Sequence, residues 1–228
     1  MKIALITARG GSKGLLRKNI QLVNGTPLIS LSIQAALDSN LIDKVFVSTE
    51  DQEIADVSLK LGAVIIPRPI SLAQDDTSSE EVIEHAIGYL EASNLYFDTL
   101  VLLQPTSPLR NSLHINDAIE IYVIKNASCV ISVFEPAHTP VKAYIEKSDG
   151  SIAGLYKENA PYSRRQDLPN AFQPNGAIYV FSVNKFKEYN QIPRGNVYPY
   201  VMSEYESVDI DTLDDLIKVE SILKSKEK

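Results

Sequence analysis

The stretch "KVFVSTEDQEIADVSLKLGAVIIP" (44–67) decides the class of fold. An apolar, β-rich run, KVFVS (44–48), leads into the helix-patterned QEIADVSLKLG (52–62) and then into a second apolar run, AVIIP (63–67). Near-continuous apolar strands must be covered on both faces, and an amphipathic stretch between two of them reads as the crossover of a parallel pair. The alternation extends both ways. Upstream stand KIALIT (2–7) and PLISLSIQAALDS (27–39); downstream follow SEEVIEHAIGYLEAS (79–93), DTLVLLQP (98–105), LHINDAIEIYVIKN (113–126) and SCVISVF (128–134).

The expected fold is therefore α/β: a Rossmann-like, mostly parallel sheet with helices on both faces. Right-handed crossovers place the carboxyl ends of the strands on one edge, where open α/β sheets bind ligands. The polar punctuation falls there: TARGGSKGLLRKN (7–19), STED (48–51), RPISLAQDDTSS (68–79) and QPTSPLR (104–110). The alternation stops near residue 135, and 136–175 is irregular, with a hairpin expected around Asp149-Gly150. Strand character resumes in GAIYVFSV (176–183) and YPYVMS (198–203), and DTLDDLIKVESILKS (211–225) reads as a closing helix. A length of 228 residues suits one domain, 1–228, with 136–175 as an insertion.

Hydrophobic residues at 44% and charged residues at 22% are ordinary for a globular chain and exclude a disordered one. The net charge of −7 argues against nucleic acid as a partner. Neither an apolar run near the ~18 residues of a membrane span nor a signal-peptide pattern is visible, so the expected location is the cytoplasm, away from membranes. The single cysteine, Cys129, lies in an apolar run and is expected to be a buried, inert thiol in a reducing compartment.

Against that acidic background the cations near the N-terminus stand out. Gly10, Gly11 and Gly14 let the backbone bring its N–H groups close to an anion, and Arg9, Lys13, Arg17 and Lys18 add charge. After a first parallel strand, this reads as a polyphosphate cradle, although its spacing is neither the G-x-G-x-x-G fingerprint nor a P-loop. In SVDIDT (207–212), Asp209 and Asp211 alternate and so share one face of an extended segment, which suits Mg²⁺ with phosphate oxygens completing the shell. The alternative is that Asp211 caps the following helix. Arg164, Arg165, Gln173 and Asn175 lie together in YSRRQDLPNAFQPNGAIY (162–179) and fit an acidic small molecule or, equally, a solvated arginine pair. In LLQPTSPLR (102–110), Gln104, Thr106 and Ser107 offer polar groups at the sheet edge, while Arg68 and Ser79 bracket another edge loop. His85, His114 and His138 lack metal-ligand spacing.

Taken in order, ITARGGSKGLLRKN, RPISLAQDDTSS, LLQPTSPLR, RRQDLPNAFQPNGAIY and SVDIDT resemble the CMP-sialic acid synthetases, cytidylyltransferases that activate nine-carbon keto-sugar acids. The resemblance spans almost the whole chain. It implies attack of the sugar's anomeric hydroxyl on the α-phosphate of CTP, with release of pyrophosphate. It further implies that Arg9, Gly11, Ser12, Lys13, Lys18 and Asn19 hold the phosphates and ribose, with Lys13 counted among the catalytic groups. Arg68, Thr77 and Ser79 would frame the cytosine. Asp209 and Asp211 would bind Mg²⁺ or Mn²⁺, and one of them, alone or with a metal-bound water, would help deprotonate the sugar.

Gln104 and Arg165 would face the sugar acid, and Asn175 is grouped with them. The irregular segment would be a dimerisation subdomain, so that Lys142, Arg165 and Gln173 act across a homodimer interface. Two departures bear on the sugar: Gln173 stands where bacterial members of the family often have arginine, and NQIPRG (190–195) carries Ile192 and Pro193 in place of a pair of aromatics. A less polar acceptor, such as a diacetylated legionaminic acid, would suit these changes. The competing readings are a cytidylyltransferase for 3-deoxy-manno-octulosonate and a non-catalytic CTP-binding dimer.

Overall fold

The computed structural model describes residues 1–12 and 14–226. Strands β1 (Lys2–Thr7), β2 (Lys44–Thr49), β3 (Val64–Pro67), β4 (Thr99–Leu103) and β5 (Cys129–Phe134) alternate with helices α1 (Leu28–Leu37), α2 (Gln52–Lys60), α3 (Ser79–Ala92) and α4 (Ser112–Ile124). Next come a small hairpin, β6 (Tyr144–Glu146) against β7 (Ile152–Gly154), then β8 (Gln173–Ser182), α5 (Val183–Tyr189), β9 (Val197–Val201) and α6 (Leu213–Lys226). The main sheet has seven strands in the order β9-β5-β8-β4-β1-β2-β3.

The central strands explain why their sequences are apolar throughout. Along β1, Ile3 and Leu5 join a core with Phe46, Leu100, Leu102 and helix α3, while Ala4 and Ile6 join one on the opposite face with Val45, Val47, Ile29, Ile33 and Ile115. Successive side chains point to opposite faces, so a strand sandwiched between helices has no solvent side. A third cluster packs α6, through Leu216, Val219 and Ile222, against Leu28, Leu109 and Ile210.

The helix starts have local causes. The Asp51 carboxylate accepts from the Ile54 N–H at the start of α2, and Ser78 and Glu81 form a reciprocal capping box on α3. At α6 the cap belongs to Thr212: its hydroxyl accepts from the Asp215 N–H at 3.3 Å, and the Asp215 carboxylate accepts from the Thr212 N–H at 2.8 Å. The sequence alternative in which Asp211 caps this helix is corrected, since that carboxylate bonds to Lys18.

Parallel ladders join β1 to β2 and β4, β2 to β3, and β5 to β9, but β8 runs antiparallel to both β4 and β5. Its N-terminal end therefore reaches the edge that receives the carboxyl ends of its neighbours. The expected strand 176–183 begins earlier, at Gln173, and stops at Ser182, whose hydroxyl caps the short helix α5 by accepting from the Lys185 N–H. The hairpin around Asp149-Gly150 forms as expected, with Tyr144 opposite Gly154. No helix among the described residues is long and apolar enough to cross a membrane.

Candidate functional site

The loops after β1, β3 and β4, with the segment that carries Asp209 and Asp211, surround a cleft of about 480 Å³ at the carboxyl edge of the sheet. Arg9, Ser12, Lys18, Asn19, Arg68, Thr77, Ser79, Gln104, Asp209 and Asp211, ten of the residues expected from sequence, line it. Local bonding explains how they converge. Asn19 is buried, and its side-chain amide donates to the Arg9 carbonyl at 2.9 Å, closing the loop after β1 on itself. The Gly10 N–H donates to the Glu50 carboxylate at 2.7 Å, tying this loop to the one after β2.

Gly14 sits so close to the 211 backbone that a Cβ there would lie 2.6 Å from the Asp211 carbonyl oxygen. On the far wall, the Ile210 N–H donates to the Thr106 carbonyl at 2.8 Å, and its side chain is fully buried. With Ile210 anchored inward, Asp209 and Asp211 both face the cleft.

Each cation of the cleft has an acidic or carbonyl partner. Arg9 donates to the Gln74 carbonyl at 2.8 Å and pairs with Asp75 at 2.9 Å. Lys18 pairs with Asp211 at 2.9 Å. Arg68 is only 7% exposed; its Nε donates to the Ser48 hydroxyl at 3.1 Å and an Nη to the Ser48 carbonyl. Burial pushes the Arg68 pKa down to about 10, Glu50 pulls it up and Arg9 pushes it down, so the guanidinium is charged at neutral pH. Burial also raises the Asp209 carboxyl above its ordinary range; a hydrogen bond from Thr106 opposes the shift, Asp211 reinforces it and Lys18 opposes it. Arg17, the remaining cation among the loop's described residues, forms a fork to Asp51, both bonds at 3.0 Å, with Glu53 beside it.

Lys13 lies outside the described residues. Gly11 is exposed and does not line the cleft. Nor do Lys142, Arg165, Gln173 or Asn175. Arg165 pairs with Glu135 at 2.9 Å, Lys142 ends a single helical turn in the irregular segment, and Gln173 is exposed at the start of β8. Asn175 needs correcting as a ligand group: only 5% exposed, its amide donates to the Ser207 hydroxyl at 2.9 Å and its carbonyl oxygen accepts from Ser132 at 2.6 Å. A buried amide with its bonds made inside the fold has none left for a ligand.

Residues not singled out from sequence also shape the cleft. Glu50 and Asp75 hold the loop after β1, and only their places in STED and QDDTSS pointed to the edge. Arg110 is 2% exposed and donates to the Gln104 and Ala177 carbonyls at 3.2 and 3.0 Å, clamping the turn that presents Gln104. Gly176, at φ +75°, lets the side chain of Gln104 pass: a Cβ there would sit 2.6 Å from its Oε1. Except for Arg110 and Gln104, these partners are distant in sequence, and no spacing rule joins them.

Among the described residues no group of three or more His, Cys, Asp or Glu side chains could hold a metal ion. The donor set nonetheless fits Mg²⁺, which characteristically takes one or two carboxylates together with waters and substrate phosphates. Asp209 and Asp211 line the same cleft as Arg9, Lys18 and Arg68 and meet that requirement.

Residues 3–225 match the family described as "Cytidylyltransferase". The chain belongs to that family. Among its relatives, the N-acylneuraminate cytidylyltransferase of Streptococcus agalactiae serotype V is 33% identical over 219 residues, 95% of this chain and 52% of that protein. The chain thus spans about half the length of the streptococcal relatives it matches. The pseudaminic acid cytidylyltransferase of Campylobacter jejuni serotype O:2 is 34% identical over 215 residues, 94% of this chain and 92% of that protein. A solved structure of CMP:2-keto-3-deoxy-manno-octonic acid synthetase complexed with CTP aligns with a TM-score of 0.72 at 17% identity, covering 99% of each chain. At that identity the likeness is one of fold.

Proposed function

We propose that the chain transfers CMP from CTP to the anomeric hydroxyl of a nine-carbon keto-sugar acid, releasing pyrophosphate. The observation that carries this reading is the single cleft in which Arg9, Lys18 and Arg68 face Asp209 and Asp211 and which adjoins, through Ser79 and Gln104, a second and more apolar cavity. The names of the streptococcal and Campylobacter relatives support the reaction class.

The reaction joins two anions, so neutralisation and positioning supply most of the catalysis. Arg9 and Lys18 exchange their internal partners, Asp75 and Asp211, for triphosphate oxygens. Arg68, fixed by Ser48, frames the base together with Thr77 and Ser79. Gln104, at the boundary of the two cavities, aligns the acceptor hydroxyl with the α-phosphorus. A new P–O bond forms there, the bond to the β-phosphate breaks, and the hydroxyl proton passes to a carboxylate. Asp209 and Asp211, which both line the cleft, are the carboxylates placed to take it, directly or through a water. Mg²⁺ or Mn²⁺ held by Asp209 and Asp211 would neutralise the charge of the triphosphate. The apolar walls of the second cavity favour an acceptor with deoxygenated, acylated carbons, of which a diacetylated legionaminic acid is an example.

We further propose a cytoplasmic homodimer. Between 144 and 162, Tyr144, Ile145, Ile152, Leu155, Tyr156 and Tyr162 are all exposed, with Tyr162 at 80%. Exposed apolar side chains concentrated in one small segment mark an interaction surface, and a second copy packed on this segment would bring Lys142, Arg165 and Gln173 towards the partner's site. Sedimentation of the active enzyme tests this, and a fully active monomer would exclude it. The reaction itself is tested by pyrophosphate release from CTP and Mg²⁺ with N-acetylneuraminic acid, a diacetylated legionaminic acid or 3-deoxy-manno-octulosonate. Turnover of a nine-carbon acid, abolished by EDTA and by Asp211→Asn, is expected. Turnover of the octulosonate alone, or CTP binding without turnover of any acid, would refute it.

A further inference from the structure

Among the described residues other than glycine, those with a positive φ are Asn24, Asn94, Asn126, Asn190, Asn196 and Arg17. Arg17, at φ 53° and ψ 37°, is the exception to a rule of asparagines. Asparagine enters the left-handed region readily, because its short amide bonds to nearby backbone. A long side chain gains nothing of that kind and stays there only where its surroundings hold it.

What holds Arg17 is its own guanidinium. Its two Nη atoms donate to the two oxygens of Asp51 at 3.0 Å, and one of them donates to Glu53 at 2.8 Å. Asp51 is fixed in turn, since the same carboxylate caps α2 by accepting from the Ile54 N–H at 3.0 Å. Beside the fork, Gly10 bonds to Glu50, and a Cβ on Gly10 would lie 2.5 Å from an oxygen of Asp51, so the loop after β1 rests directly on the loop after β2.

The left-handed residue turns the chain immediately before Lys18. Arg17 does not line the nucleotide cleft, whereas Lys18 and Asn19 do. The Arg17 and Lys18 carbonyls accept from the Ile20 and Gln21 N–H groups at 3.0 and 3.1 Å, closing Lys18–Ile20 into one helical turn. Asn19 is buried and bonded to the Arg9 carbonyl, so the backbone at Arg17 sets the direction in which Lys18 leaves the chain. Its ammonium reaches Asp211 across the cleft at 2.9 Å.

We propose that Arg17 is a positioning residue for Lys18: its fork on Asp51 and Glu53 holds the left-handed turn that delivers the Lys18 ammonium to the triphosphate of CTP. The proposal rests on the nucleotide reading given above and gives Arg17 no contact with the substrate.

The test titrates CTP calorimetrically, with Mg²⁺ present, into wild type, Arg17→Ala, Arg17→Gly, Arg17→Lys, Lys18→Gln and the double variant carrying Arg17→Ala and Lys18→Gln. Arg17→Ala should weaken CTP about threefold to tenfold, the range for losing a partly exposed but bidentate charged pair. Arg17→Gly should recover part of that loss, since glycine takes the left-handed conformation without a restraint. Arg17→Lys should recover less, because an ammonium cannot form the fork and its backbone carries the same penalty as alanine. In the Lys18→Gln background, replacing Arg17 by alanine should change CTP affinity by no more than about twofold. In turnover, KM for CTP should follow these values while KM for the acceptor stays within about twofold of wild type.

Recovery by glycine beyond that by lysine, with no further loss in the double variant, supports the proposal. Equal losses with and without Lys18, or full rescue by Arg17→Lys, would mean that Arg17 acts through its charge alone and overturns it. So does an Arg17→Ala protein that binds CTP as tightly as wild type, or an Arg17→Gly protein as weak as Arg17→Ala. If wild type binds CTP but turns over no acceptor, the reaction reading fails and the titrations still decide the role of Arg17; if it binds no CTP, both fall.

Discussion

Gly14→Ala places one methyl group between two walls of the cleft. The new carbon would stand 2.6 Å from the Asp211 carbonyl oxygen, a separation that real Cβ atoms essentially never show. Relief requires a shift of roughly half an ångström or more, and the two sides differ in their ability to give. Residue 211 follows Ile210, which is fully buried and bonded to the Thr106 carbonyl, and its own N–H donates to Asp215 at 3.2 Å. The glycine loop therefore has to move, taking Lys18 away from Asp211.

Overpacking of this kind costs about 1–3 kcal/mol. For a chain of 228 residues each kcal/mol lowers Tm by about 2–4 °C, so a fall of roughly 2–12 °C is expected. KM for CTP should rise in the same variant. Gly11→Ala is the control within the same loop, because nothing lies within 4 Å of a Cβ at that position. Scanning calorimetry of both variants, with CTP kinetics, measures the effect. A Gly14→Ala protein that melts within about 1 °C of wild type with an unchanged KM for CTP would refute the argument that this glycine sets the width of the cleft.

Three other outcomes are expected. Arg110→Ala removes a fully buried side chain and strands the Gln104 and Ala177 carbonyls, so urea denaturation should show a loss of about 2–4 kcal/mol, with KM for the acceptor raised through Gln104. At Asp51 burial raises the carboxyl pKa, but the Ile54 N–H and Arg17 outweigh it and hold it below the ordinary value; its stabilisation is thus present above the unfolded pKa and lost as pH falls through the folded one. Asp51→Ala should cost about 0.5–2 kcal/mol at neutral pH by loss of the helix cap, and its Tm should fall less steeply than that of wild type below about pH 4. The Cys129 thiol, buried and pushed up to about 12, should resist alkylation at pH 8 in the native protein and react once it unfolds; rapid native labelling would contradict the packing.

The two carboxylates show how far sequence spacing reaches. Alternation alone put Asp209 and Asp211 on one face, and the structure agrees because Ile210 between them is drawn into the core. The same segment left two uses open for Asp211, and only the neighbouring Thr212–Asp215 cap and the distant Lys18 decide between them. Asn175 shows the opposite case. Its place beside arginines invited a ligand role, but side chains from residues 132 and 207 consume its amide.

By itself the sequence determined what depends on local order: the β–α alternation, the two-faced apolar strands, the polar edge loops, the hairpin at Asp149-Gly150 and the cationic glycine loop. These follow from periodicity and turn chemistry within a few residues. The tertiary structure alone decided that β8 is antiparallel, that Arg110 clamps the Gln104 turn from beneath and that Arg17 is held by Asp51 and Glu53. Each depends on segments far apart in the chain meeting in the fold, as Arg110 meets the Ala177 carbonyl, and packing, not spacing along the chain, selects those meetings.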